Sequence, residues 1–213
     1  MIGIVAHTAR AEQAQQLMET VGAAYTSIDN GTLGCERNHL QTWQWLADHT
    51  HNDWAVILED DAQPIPNFTH HLNQALQHAP SPIVSLYRGH YVNNPAAERA
   101  GQAATHKATT TNASWVTSRL MLHAVAFAVT TELLPTLITH INGLSGNLPI
   151  DEAVTHFTVR NKLVVAYTHG SLVNHADTPT VITRHRDKLP RPPGRVAYHL
   201  GPPTEWTDKA VTL

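Results

Sequence analysis

Trp54-Ala55-Val56-Ile57-Leu58-Glu59-Asp60-Asp61 is a short apolar run that ends in three consecutive carboxylates. An uninterrupted apolar segment of this length reads as a strand buried on both faces of a parallel sheet. Open α/β folds bind ligands in the crevice beyond the carboxyl ends of such strands. Neighbouring carboxylates repel one another, so a positive group is expected among these three. Oxygen donors suit hard cations, which makes Mg²⁺ or Mn²⁺ the expected partner, shared with the phosphates of a phosphorylated donor.

Outward from this strand the pattern alternates. Strands are expected over residues 2–6, 24–28, 54–58, 82–86, 124–130 and 163–167. Helices are expected over 9–21, 33–49, 67–78, 132–141 and 150–160. Ala14, Leu17, Met18 and Val21 share one helical face, and Leu33, Leu40, Trp43, Leu46 and Ala47 share another. Asp29-Asn30-Gly31 is a turn signal, and Pro64 and Pro66 break the chain. Residues 88–114 are polar and read as a long loop, of the kind that serves as a lid or acceptor loop. From residue 178 the chain is rich in proline and arginine without periodicity.

The expected architecture is one α/β domain over residues 1–177, a mostly parallel central sheet flanked by helices, followed by an irregular extension over 178–213. Its 213 residues suffice for a single core. The glycine fingerprint of dinucleotide-binding folds and the Walker A loop are both absent, which argues against Rossmann dehydrogenases and P-loop kinases.

Composition excludes further classes. A net charge of −3 gives no electrostatic case for bulk nucleic-acid binding. Cys35 is the sole cysteine, so no intrachain disulfide forms and a reducing, cytoplasmic compartment is expected. No apolar run approaches the roughly 18 residues of a transmembrane helix. The N-terminus lacks a basic n-region and a cleavage site, so no signal peptide is expected. The 16 histidines are scattered and read mostly as surface or satisfied core residues.

The order of motifs resembles glycosyltransferase family 25, the lipopolysaccharide-type and collagen-type sugar transferases. The resemblance rests on Gly34-Cys35-Glu36-Arg37-Asn38-His39, then Glu59-Asp60-Asp61-Ala62, then Pro149-Ile150-Asp151, then Ser171-Leu172-Val173-Asn174-His175. It spans about residues 1–180 and is tightest over 33–68; Asn38 stands where the family has serine. It implies a GT-A fold, a nucleotide-diphosphate sugar donor (a UDP-sugar by default), Mn²⁺ or Mg²⁺, and inversion at the anomeric carbon.

Under that resemblance Asp61 binds the metal, with Glu59 a further candidate ligand, and Glu59 or Asp60 contacts the ribose or a metal-bound water. Strand alternation would point Glu59 and Asp61 one way and Asp60 the other. His175 completes the metal shell as a neutral imidazole. Asp151, or Glu152 beside it, is the general base, although a carboxylate is favoured at a helix start in any case. Donor contacts are expected from His7, Thr8, Cys35, Asn38, His39, Glu59, Asp60 and Arg88, with Arg37 a further phosphate candidate. Cys35 packs beneath the nucleotide rather than reacting. Trp43 and Trp54 read as core and Trp45 as a free aromatic face for a sugar. The basic stretch Arg184-His185-Arg186-Asp187-Lys188, with Arg191 and Arg195, reads as a solvated tail or a contact for an anion. The acceptor stays open among a saccharide, a protein side chain and a modified base. Two other readings stand beside this one. They are a Mg²⁺-dependent phosphoryl- or nucleotidyl-transfer enzyme, and a non-catalytic nucleotide-sugar-binding module.

Overall fold

The fold is that of a computed structural model describing residues 1–92, 94–144, 148–179, 181 and 193–213. In chain order the first half gives β1 (Ile2–His7), α1 (Ala11–Val21), β2 (Tyr25–Asp29), α2 (Cys35–His49), β3 (Trp54–Glu59), β4 (Ala62–Pro64), α3 (Phe68–Gln77) and β5 (Ile83–Ser85). The second half gives α4 (Pro95–Thr111), β6 (Trp115–Ser118), β7 (Ala126–Thr130), α5 (Leu134–Asn142), α6 (Ile150–Asn161), β8 (Val165–Thr168), β9 (Val173–His175) and β10 (Ala210–Thr212). A single 3₁₀ turn, Thr8–Arg10, joins β1 to α1.

Eight strands form one sheet in the order β10-β6-β8-β5-β7-β3-β1-β2. Pairing is parallel for β1–β2, β1–β3, β5–β8 and β6–β10, and antiparallel for β3–β7, β5–β7 and β6–β8. In the parallel part β1 lies between β2 and β3.

Strand geometry then builds two cores. Ile2, Ile4, Val56, Leu58, Ala126 and Ala128 face one side, where they meet α1 through Leu17 and Val21 and α3 through Phe68 and Leu72. Val5, Ala55, Ile57, Phe127 and Val129 face the other, where they meet Trp43 and Leu46 of α2, Leu137 and Ile141 of α5, and Phe157 of α6. The result is three layers, helix over sheet over helix. Gly3 permits the closest of these contacts, because a Cβ there would lie 2.7 Å from Thr42 Cγ2 on α2.

Residues 88–114 differ from the expected lid. Most of them form α4, a 17-residue helix. The Asn94 side chain accepts from Ala97 N–H, Pro95 opens the first turn, and Asn112 closes the helix in the left-handed region. The buried stripe consists only of Gly101, Ala104 and Ala108, so no large apolar period marks the helix in the sequence. Arg88, expected at a phosphate, is only 2% exposed. Its guanidinium donates to Gly101 O and Thr105 Oγ1 and lies 4.9 Å from the Tyr198 ring centroid. It anchors α4 beneath the returning C-terminal segment and faces no open site.

The C-terminal residues also differ from the irregular extension expected over 178–213. Trp206 packs on Trp115, whose Nε1–H donates to Thr207 O, and β10 pairs along β6 with Val211 in the core. The basic run from Arg184 to Arg191 lies outside the described residues. Val211→Asp should therefore cost about 2–4 kcal/mol, because it buries an unpaired carboxylate. Chemical denaturation measures this, and an unchanged midpoint would remove β10 from the core.

Candidate functional site

The chain runs from β1 to β2 through α1 on one face, and from β2 to β3 through α2 on the other. β1 pairs in parallel with β2 on one side and with β3 on the other, so the strand order changes direction at β1 and the carboxyl ends of β1 and β3 open side by side on a crevice. His7 and Thr8 leave β1 there, and Glu59, Asp60 and Asp61 leave β3 there.

The three acids do not alternate, because β3 ends at Glu59 and the backbone turns through Asp60 and Asp61. Asp60 and Asp61 converge on a residue the sequence reading did not single out. Arg10 Nη1 donates to Asp60 Oδ1 at 2.8 Å and to Asp61 Oδ2 at 2.6 Å. Arg10 Nη2 donates to Pro179 O, and His7 N–H donates to Asp60 Oδ2 at 2.7 Å. The positive group expected among the acids is thus, in part, a guanidinium from the turn after β1. The only sequence signal for it was a lone basic residue just past the first strand.

The environments of the three acids separate them. Burial raises Asp60, and this outweighs the His7 N–H and Arg10, so its carboxyl sits above the ordinary value. Burial also opposes ionisation of Asp61, but His175 and Arg10 together win and hold it below the ordinary value. Glu59 is raised by burial and then by the charges of Asp61, Asp60 and Asp151. Its side chain remains a quarter exposed, which moderates that rise. Asp61 Oδ1 is enclosed and has no hydrogen-bond partner among the described residues.

β4 and β9 pair antiparallel, Ala62 opposite His175, and this carries His175 to the acids. His175 Nδ1 accepts from Asp177 N–H, so the ring hydrogen lies on Nε2, 3.4 Å from Asp61 Oδ2. The imidazole therefore meets Asp61 as a donor. It does not offer that carboxylate's cation a lone pair, contrary to its expected role as a metal ligand.

Glu59 turns toward α2. Its Oε1 lies 3.9 Å from Cys35 Sγ and 3.6 Å from His39 Nε2. The His39 ring is fully buried and held neutral, its pKa pushed down to about 4 mainly by that burial. Burial, followed by Glu59 and other acids, pushes the Cys35 thiol up, in keeping with a non-nucleophilic cysteine. Asn38 donates its amide to Ala6 O and Ser27 O, so it ties α2 to β1 and β2 beneath the crevice. Both side chains, Asn38 and His39, are buried. Asp29, the first residue of the expected turn signal, accepts from Thr32, Leu33 and Gly34 N–H groups and shapes the turn into α2.

Asp151 stands half-exposed in the first turn of α6, and its charge is felt at Glu59 and Cys35. Glu152 is exposed and lines a separate groove of about 680 Å³ with Leu120, Leu122, Leu148, Val159 and Arg160. Of the two expected bases, Asp151 is the one whose charge reaches the acids. Trp45 is already stacked on Tyr25 and His49, at 4.6 and 4.2 Å, and offers no free platform for a sugar. Arg195 pairs with Asp177 at 3.4 Å.

No family model and no curated protein matches the chain. Among solved structures it is similar to a glycosyltransferase involved in the glycosylation of the major capsid of PBCV-1, with TM-score 0.43 and 11% identity, over 76% of this chain and 77% of that one. It is similar also to the inositol-1-phosphate CTP transferase from T. maritima, with TM-score 0.39 and 7% identity, over 77% of this chain and 64% of that one. A third likeness is to a protein described as a glucose-1-phosphate thymidylyltransferase from Bacillus anthracis in complex with a sucrose, with TM-score 0.43 and 8% identity, over 83% of this chain and 90% of that one. Likenesses this distant do not assign a function, which has to come from the site.

Arg10→Ala should leave two poorly solvated carboxylates unpaired and cost about 3 kcal/mol. The pH dependence has a definite sign. Asp61 lies below its ordinary value, so its stabilisation is present above the unfolded carboxylate range and is lost as pH falls through the folded value. Without Arg10 that value rises, and acid unfolding should begin at higher pH. Circular dichroism against pH measures the midpoint; an unmoved midpoint would mean that the bridge contributes nothing.

Proposed function

We propose that the chain is a transferase of GT-A type, similar to glycosyltransferase family 25, that moves a sugar from a nucleotide-diphosphate sugar to an acceptor hydroxyl. The observation that carries this reading is the Asp60–Arg10–Asp61 bridge in the crevice beyond β1 and β3, with Asp61 Oδ1 enclosed and unpartnered among the described residues. An enclosed carboxylate oxygen without a donor suits a hard divalent cation. Asp61 would hold Mn²⁺ or Mg²⁺ through Oδ1, while Oδ2 stays on Arg10. His175 fits only by orienting Asp61. When bound, the ion neutralises charge on the leaving diphosphate.

The chain's own residues supply the rest. Asp60, fixed by His7 N–H and Arg10, keeps the strand end in place. Thr8 and the His7 backbone line the donor side of the crevice. Asp151 takes the proton from the acceptor hydroxyl. The acceptor oxygen then bonds to the anomeric carbon as the bond from that carbon to the diphosphate oxygen breaks, with inversion. Supporting Asp151 in this role is its place at a helix start near the acidic cluster, on an element separate from β3.

Thermal unfolding with UDP, with Mn²⁺ and with both should show a joint stabilisation larger than either alone, because ligands of the native state raise stability. Asp61→Asn should abolish the joint effect, measured against that variant's own unliganded transition, which falls because Arg10 loses one of its two ion-pair partners. Asp151→Asn should lower kcat by about 10²–10⁴ with donor binding retained. Release of pyrophosphate instead of a nucleoside diphosphate would replace sugar transfer with nucleotidyl transfer, and no response to any nucleoside diphosphate would end the reading.

A further inference from the structure

Cys35, His39 and Glu59 make a second constellation, separate from the Arg10 bridge. Cys35 opens α2, His39 follows one turn later on the same face, and Glu59 ends β3. One ligand atom from each of the three lies within 4.8 Å of the others. The Cys35 carbonyl sits 2.9 Å from His39 Nδ1 and can only accept, so Nδ1 carries the ring hydrogen. That leaves the lone pair on Nε2. Nε2 is fully enclosed, has no hydrogen-bond partner among the described residues and is aimed at Glu59 Oε1.

A buried acceptor without a partner is costly, because it gives up its hydrogen bond to water and gains none in return. The spacing suggests what fills the gap. Ligand bonds of about 2.0–2.3 Å in a tetrahedron separate ligand atoms by about 3.3–3.7 Å. The observed separations from Glu59 Oε1 are 3.6 Å to nitrogen and 3.9 Å to sulfur. The Nδ1–H bond to a backbone carbonyl is the second contact that metal-bound histidines commonly make, and it fixes the tautomer. The donor set of one sulfur, one imidazole and one carboxylate favours Zn²⁺ over Mg²⁺ or Mn²⁺.

We propose that Cys35, His39 and Glu59 form a three-ligand site for Zn²⁺ or a similar thiophilic dication, with a fourth position open toward the crevice. The Cys35 and Glu59 side chains are only partly buried, which provides a way in. The site ties α2 to the end of β3. It does not depend on the transfer chemistry, which draws on Asp61 and Asp151.

The test uses the full chain, stripped with a chelator and titrated with Co²⁺. The expected result is one equivalent bound with a thiolate-to-cobalt charge-transfer absorption, lost again on adding Zn²⁺ and unaffected by excess Mg²⁺. Cys35→Ser should abolish that absorption and weaken Zn²⁺ binding at least tenfold. His39→Gln should weaken binding as well; if that variant does not fold, the Cys35→Ser result decides alone. A wild-type chain without the charge-transfer absorption would overturn the proposal and leave a proton shared between Glu59 and Nε2. Undiminished Zn²⁺ binding by Cys35→Ser would overturn it too, because other histidines would then hold the ion. The response to UDP with Mn²⁺ is read separately, so failure here is distinguishable from failure of the transferase reading.

Discussion

The bridge from Arg10 to Asp60 and Asp61 is the contact on which the arrangement of the crevice depends. Two carboxylates on successive residues, both mostly removed from water, repel one another unless a cation lies between them. The guanidinium meets that need with Nη1 alone, while Nη2 reaches Pro179 O. One side chain from the turn after β1 therefore holds the end of β3 and the segment that follows β9. The His7 backbone adds a further bond to Asp60, so the turn after β1 and the strand end cannot shift independently.

Three adjacent acids acquire three different roles from this constraint. Asp60 is spent on structure, with its oxygens on a backbone N–H and on Arg10. Asp61 Oδ2 is held by Arg10 and faces the His175 N–H, while Oδ1 has no hydrogen-bond partner among the described residues, which is why Asp61 is the better candidate for holding an ion. Glu59 belongs to the last turn of the strand, points at α2 and joins Cys35 and His39. Strand alternation predicts a different grouping, Glu59 with Asp61, and it fails because β3 stops at Glu59. Alternation holds only while the backbone stays extended.

Legibility followed the size of the buried side chains. β1, β3 and β7 and helices α1, α2, α5 and α6 were readable because Ile, Val, Leu, Phe and Trp recur at the spacing of the element. α4 was not, since its buried stripe is Gly101, Ala104 and Ala108, and small residues leave no hydrophobic period. Trp45 was misread for a related reason. Its position off the apolar stripe suggested a free face, but Tyr25, remote in sequence, and His49 one turn away both stack on it. Arg88 stood in a polar stretch that reads as surface, and only the return of Tyr198 over it makes it interior.

By itself the sequence determined the α/β class and the buried strand ending in three acids. Local propensity and hydrophobic period are short-range properties, and they are written in neighbouring residues. The tertiary structure decided which cation sits among the acids, which carboxylate keeps a free oxygen, and which histidine presents a lone pair. Those outcomes depend on hydrogen-bond partners tens of residues away. Arg10 is 50 positions from Asp60, and Cys35 is 24 from Glu59. Pairings over such separations are set by the closing of sheet and helices around them, and no window of sequence contains them.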